Sequence, residues 1–179
     1  MWERVFAALS ADADNEYAML DSTIVRAHQH SAGARKGEAR DEASSRGRGG
    51  LNTTIHAVTD AVGNPTAFQL TGGQAHDLAG ADALLPGLAT GALIADRSYD
   101  AEARVLAPLR AAGRAAGIPP RRTRTVQRDY DRALYAARHL AENFFCALKQ
   151  YRAIATRYNK TARNFLAAVY RAATVITLN

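Results

Sequence analysis

Tyr135–Lys149 reads YAARHLAENFFCALK, and the rest of the chain can be placed around it. Its polar residues Tyr135, Arg138, Glu142 and Lys149 follow one another at three, four and seven positions, the spacing of one helix face. Phe145 falls on the same row, while Leu140, Phe144, Cys146, Ala147 and Leu148 supply apolar surface elsewhere around the helix. A lone carboxylate among cations, beside apolar residues, points to a site; an amphipathic helix with incidental charges is the competing reading. The pattern predicts one long helix over Asp129–Tyr151. Cys146, the single cysteine, reads as small core filler within it.

Upstream, Tyr17–Val25 (YAMLDSTIV) reads as a short strand interrupted by Asp21. A carboxylate in an apolar strand is costly unless paired or bound to a cation, although Asp-Ser-Thr is also ordinary turn chemistry. Gly91–Asp96 (GALIAD) is a second strand, apolar throughout and so buried on both faces, with Asp96 at its mouth. Between them, Leu51–Asp60 and Pro65–Thr71 alternate about the turn Ala61–Asn64, a hairpin signature. Gly72–Asp77 (GGQAHD) then leads into a helix over Leu78–Leu85, with Asp77 read as its cap and His76 as a hydrogen-bonded turn residue. His56, His76 and Asp77 have no metal-ligand spacing. Asp100 reads as the cap of a helix reaching Ala112, and a final amphipathic helix spans Asn159–Leu178.

Three acids are left: Asp21 in one strand, Asp96 at the end of another, and Glu142 on the helix. Two strand aspartates and a helix glutamate can converge on one point, where they repel unless divalent cations neutralise them. All-oxygen ligands favour Mg²⁺ or Mn²⁺ over zinc. Two such ions, roughly 3.5–4 Å apart, would clamp the attacking and leaving oxygens of a phosphoryl transfer. Tyr135, Arg138 and Lys149 would then grip the neighbouring phosphates.

Asp21 in MLDST, Asp96 in LIADRSYD and the Tyr135, Arg138, Glu142, Lys149 array resemble the catalytic set of DDE-type transposases of bacterial insertion sequences. The resemblance is closest to the insertion-sequence-five group. It extends through GGLNTTIHAVTDAVGNP, QLTGGQAHD, IPPRR and YRAIATRYNKTARNFLA, nearly all of residues 17–178. It implies a ribonuclease-H-like α/β fold, a mixed sheet of an antiparallel hairpin plus parallel strands, flanked by helices. It also implies Asp21, Asp96 and Glu142 as catalytic metal ligands for two Mg²⁺ or Mn²⁺ ions, with Tyr135, Arg138 and Lys149 near the DNA backbone. The expected substrate is double-stranded DNA, both insertion-sequence ends and target, met by a homodimer. Transposases of this group commonly begin with a separate helical DNA-binding region. Residues 1–16 are therefore expected to be the tail of such a region, with the chain the product of a second reading frame beside a separately encoded N-terminal part or a truncated copy, and residues 17–179 the catalytic domain. A remnant that binds DNA without turnover is the rival reading, and a general nuclease of the same fold a second.

Composition agrees with a globular chain: 47% hydrophobic and 22% charged residues. No apolar run reaches the roughly 20 residues of a membrane span, so no membrane partner is expected and a cytoplasmic, nucleoid-associated location is. Charge is uneven. Residues 1–120 hold 11 Lys and Arg against 14 Asp and Glu, a net of −3, whereas residues 121–179 hold 12 against 3, a net of +9. A basic last third suits a phosphate backbone, and Arg121, Arg122 and Arg124, which open it, are candidate DNA contacts. The polar stretch 29–50 reads as a flexible loop whose Arg35, Lys36, Arg46 and Arg48 could track phosphates.

Overall fold

A computed structural model of the chain describes residues 1–31, 43, 45–47 and 50–179, residues 46 and 47 in their backbone only. Arg35, Lys36, Arg48 and the side chain of Arg46 lie outside the described residues. So does most of the expected loop at 29–50; of its described part, Gln29–Ser31 forms a 3-10 turn and Ser45–Gly47 a short strand, β2. Three residues without apolar alternation carry no strand signal, because β2 is held through its backbone pairing alone.

The spine of the sheet is β1 (Tyr17–Ala27). Along one side it runs antiparallel to β3 (Gly50–Thr59), whose far side pairs with β2 and with the hairpin partner β4 (Pro65–Gly72). Along the other side β1 runs parallel to β5 (Ala92–Ala95) and, further on, to β7 (Thr156–Arg157), while β6 (Ala115–Gly117) extends the parallel half beyond β5. This is a mixed sheet flanked by helices, the ribonuclease-H-like α/β arrangement that the motifs implied. The hairpin turn is built by Asp60, whose Oδ1 accepts from the amides of Val62 and Asn64 at 3.1 and 2.8 Å.

Alternation along β1 divides the core. Met19 and Val25 face one layer, Ala18 and Leu20 the other. The first layer holds α1 (Trp2–Leu9), α5 (His139–Gln150), α6 (Arg152–Ala155) and α7 (Ala162–Leu178). Here Phe144, Phe145 and Leu148 meet Phe165 and Val169, and Phe6 stacks between Phe68 and Tyr170. Helix α1 therefore shares the core of this domain. The second layer holds α2 (Leu78–Leu84) and a π-helical turn, Glu102–Leu106, running into α3 (Ala107–Ala111). Buried Phe or Leu side chains of this kind each contribute about 1.5–3 kcal/mol.

Three expectations need correction. The helix predicted over Asp129–Tyr151 is two: α4 (Arg132–Ala136), capped by Asp131 through the Leu134 amide at 2.9 Å, and α5, joined by a turn at Ala137–Arg138. At the joint the bonding tightens to i, i+3, and the hairpin turn presses on Leu140, where a side chain at Gly63 would come within 3.2 Å. Cys146 is exposed, because the buried stripe of α5 runs through Ala141, Phe144, Phe145 and Leu148 and Cys146 lies opposite. Asp100 is no helix cap: it is buried and binds the segment that follows β6.

Candidate active site

Leu20 and Ala95 are the last register partners between the parallel strands β1 and β5. Asp21 and Asp96 stand one step beyond, where the two strands part, on the face covered by α5. The carboxyl ends of parallel strands at such a parting are where α/β sheets expose functional groups. Each aspartate is fixed by a serine. Asp21 Oδ1 accepts from the Ser22 amide at 2.9 Å; Asp96 Oδ1 accepts from the Ser98 amide at 2.7 Å and from its hydroxyl. In both cases one carboxylate oxygen is taken up by a local turn.

Arg138, at the joint of α4 and α5, reaches down from the helix layer. Its guanidinium donates to Asp21 Oδ2 at 3.1 Å and, through its other terminal nitrogen, to Glu142 Oε1. Burial pushes the Asp21 carboxyl up; the Ser22 amide and Arg138 pull it down, and the fields of Asp96 and Glu142 raise it again. For Arg138 burial works against the charge, but Asp21, Glu142, Tyr135 and Asp96 together raise its pKa. Those mutual fields put all three acids and Tyr135 in one electrostatic neighbourhood. They do not close into a chelate. Among the described residues, no group of three or more His, Cys, Asp or Glu side chains stands near enough to hold a metal ion, and Arg138 lies between Asp21 and Glu142. The donor chemistry, all carboxylate oxygen, fits hard cations such as Mg²⁺ or Mn²⁺. Glu142 is half exposed on the flank of α5.

The phosphate candidates divide. Lys149 and Arg122 are exposed, and Tyr135 packs edge-on against Tyr130 with ring centroids 5.6 Å apart. Arg121 and Arg124 instead turn inward. The Arg121 amide and the Arg124 Nε each donate to Asp100 Oδ2 at 2.7 Å, and Arg128 reaches Asp100 Oδ1 at 3.2 Å. The Arg121 guanidinium also donates to the carbonyls of Arg97 and Ser98, bracing the turn that holds Asp96. These two arginines therefore tie the segment after β6 to Asp100, and Arg121 also to the turn after Asp96, bonds that the charge count did not reveal.

Asp77 is placed differently as well. Its side chain makes no cap bond; its Oδ1 accepts from the Ser22 hydroxyl at 2.7 Å. His76 does serve the turn, its Nδ1 accepting from the Leu78 amide at 3.2 Å. Ser22, Ser98 and Arg128 were not singled out from the sequence. The signal available for the serines was their place one and two residues after an aspartate, the spacing of side-chain-to-amide turns.

A cavity of about 500 Å³, lined by Asp82, Leu85, Arg104 and Leu109, lies away from these acids.

The transposase DDE domain family matches residues 14–178. A putative transposase for insertion sequence element IS6501 of Brucella ovis is 39% identical over 132 residues, 72% of this chain and 99% of that protein. An uncharacterized protein, y4sN, of Sinorhizobium fredii is 59% identical over 34 residues, 19% of this chain and 27% of its own. No solved structure matches the chain significantly. A family match over residues 14–178 and a 39% identical insertion-sequence transposase covered almost in full show that the chain belongs to the DDE-type transposases of insertion sequences.

Proposed function

We propose that this transposase domain carries out two-metal DNA strand cleavage and strand transfer at insertion-sequence ends, with Asp21, Asp96 and Glu142 as the metal ligands. The observation that carries the reading is that Asp21 and Asp96 follow the last register partners of β1 and β5, Leu20 and Ala95, with Glu142 tied to Asp21 through Arg138. Two bound Mg²⁺ or Mn²⁺ ions would supply an acidified water or 3′-hydroxyl nucleophile and neutralise the leaving 3′-oxygen. The chain's own residues do the rest. Ser22 and Ser98 hold one oxygen of each aspartate; the second oxygen of Asp96 would face the cations, and that of Asp21, bonded to Arg138, would do so once the guanidinium moves to a phosphate. Arg138 exchanges its carboxylate partners for a phosphate oxygen beside the scissile bond. Lys149, two turns or about 10 Å along α5 from Glu142, takes a phosphate further along the strand. Tyr135 and Arg122 are further backbone contacts.

The experiment is plasmid nicking with and without Mg²⁺. Asp21→Asn, Asp96→Asn and Glu142→Gln should each abolish metal-dependent nicking while the circular dichroism spectrum stays that of the parent. Nicking at the parental rate by all three variants would refute the assignment.

A further inference from the structure

The GGQAHD stretch, Gly72–Asp77, takes no part in the chemistry above, yet it ends on a carboxylate bonded 55 positions back along the chain to Ser22. We propose that Asp77, acting through the Ser22 hydroxyl, is a positioning residue that holds the Asp21 carboxylate for divalent-cation binding. This rests on Asp21 being a metal ligand.

Ser22 is bonded on both sides. Strand alternation sends its side chain to the α2 layer while Asp21 faces the α5 layer. Its hydroxyl donates to Asp77 Oδ1 at 2.7 Å, and its amide donates to Asp21 Oδ1 at 2.9 Å. The peptide plane between Asp21 and Ser22 is thus pinned from behind the sheet by an acid in front of α2.

The seat of Asp77 is itself over-determined. Gly73 donates its amide to the Asn52 carbonyl at 3.1 Å, and a Cβ at Gly73 would fall 2.4 Å from that of Asn52. One turn into α2, a Cβ at Gly80 would fall 2.3 Å from the ring of His56, the register partner of Ser22 across β1 and β3. Only glycine lets this turn and helix lie so close to β3. Beside Asp77, burial lowers the His56 pKa against the pull of Asp77, and burial, with Asp77, raises that of the Tyr99 hydroxyl against the opposing effect of Ser22. No cation among the ion pairs of the described residues competes with Ser22 for Asp77. Partners of metal-binding side chains that fix their orientation commonly contribute ten- to a hundredfold to metal affinity.

The test is Mn²⁺ binding to the full chain without DNA, followed by electron paramagnetic resonance, with thermal melts confirming the fold. Ser22→Ala and Asp77→Ala should each weaken Mn²⁺ binding about tenfold. The double variant should be no weaker than either single one, because both remove the same link. Asp77→Asn should stay within about threefold of the parent, since its amide oxygen still accepts from Ser22. Parental affinity in both alanine variants, losses that multiply in the double variant, or an Asp77→Asn as weak as Asp77→Ala would each overturn the proposal. Should Asp77→Ala fail to fold, Ser22→Ala, which deletes one hydroxyl, decides alone. A parent that binds no Mn²⁺ would overturn the metal reading and this inference together, whereas parental binding in the variants would overturn this inference only.

Discussion

Asp100 keeps a negative charge in the interior because three groups close on it: the Arg121 amide and the guanidinium groups of Arg124 and Arg128. Burial alone would raise its pKa; those donors outweigh it and hold the carboxyl below the ordinary value of 3.8. A depressed pKa means stability that is fully present above the unfolded-state value and lost as pH falls through the folded-state value. The parent should therefore lose this contribution only below about pH 4, and Asp100→Asn should flatten that part of an acid-unfolding curve. At neutral pH, Asp100→Asn should cost about 2 kcal/mol in urea unfolding, the scale of hydrogen bonds to a charged group. Arg157 is another charged side chain in the interior. Fully buried, it donates to Thr53 Oγ1 at 2.8 Å and to the carbonyls of Asn159, Lys160 and Ala43, with its guanidinium over the Phe165 ring. Arg157→Ala would orphan several acceptors and should cost about 3 kcal/mol in the same measurement.

At the scale of elements, the hairpin and the last helix were legible, whereas the break in the helix read over Asp129–Tyr151 and the short strands were not. The hairpin β3–β4 and helix α7 carry apolar alternation and three-four spacing over many residues, and they lie within a few positions of where those patterns put them. Strands β2, β6 and β7, of three, three and two residues, hold no period to read and exist because a neighbouring strand offers its backbone. The close seat of α2 on β3 depends on Gly80 against His56. Gly80→Ala should push the helix off the sheet and lower stability by about 1–3 kcal/mol, read as a lower melting temperature. A variant that melts with the parent would mean that the helix can shift without cost.

Over the whole molecule, the basic last third divides its cations between structure and surface. Arg121, Arg124, Arg128 and Arg157 are engaged inward, whereas Arg122 and Lys149 are exposed. The two groups should respond differently to mutation. Lys149→Ala should reduce the magnitude of the slope of log affinity for DNA against log salt by about 0.9, with unchanged melting. Arg124→Ala should lower the melting temperature first, through the loss of its bond to Asp100. Equal salt slopes for Lys149→Ala and the parent would remove Lys149 from the DNA surface. No helix among the described residues is long and apolar enough to cross a membrane.

By itself the sequence determined which strand regions carry an acid, where the hairpin turns, the apolar face of the last helix, and that the last third is basic. Those are properties of period and composition, set by neighbours a few positions apart. Only the tertiary structure decided that Arg138 bridges Asp21 and Glu142, that Asp77 reaches Ser22, and that Asp100 gathers an arginine wall. Arg138 and Asp21 are 117 positions apart, and no local pattern encodes such a contact. It arises when the register of β1 against β5 and the seat of α5 across them bring a cation and an acid to the same point.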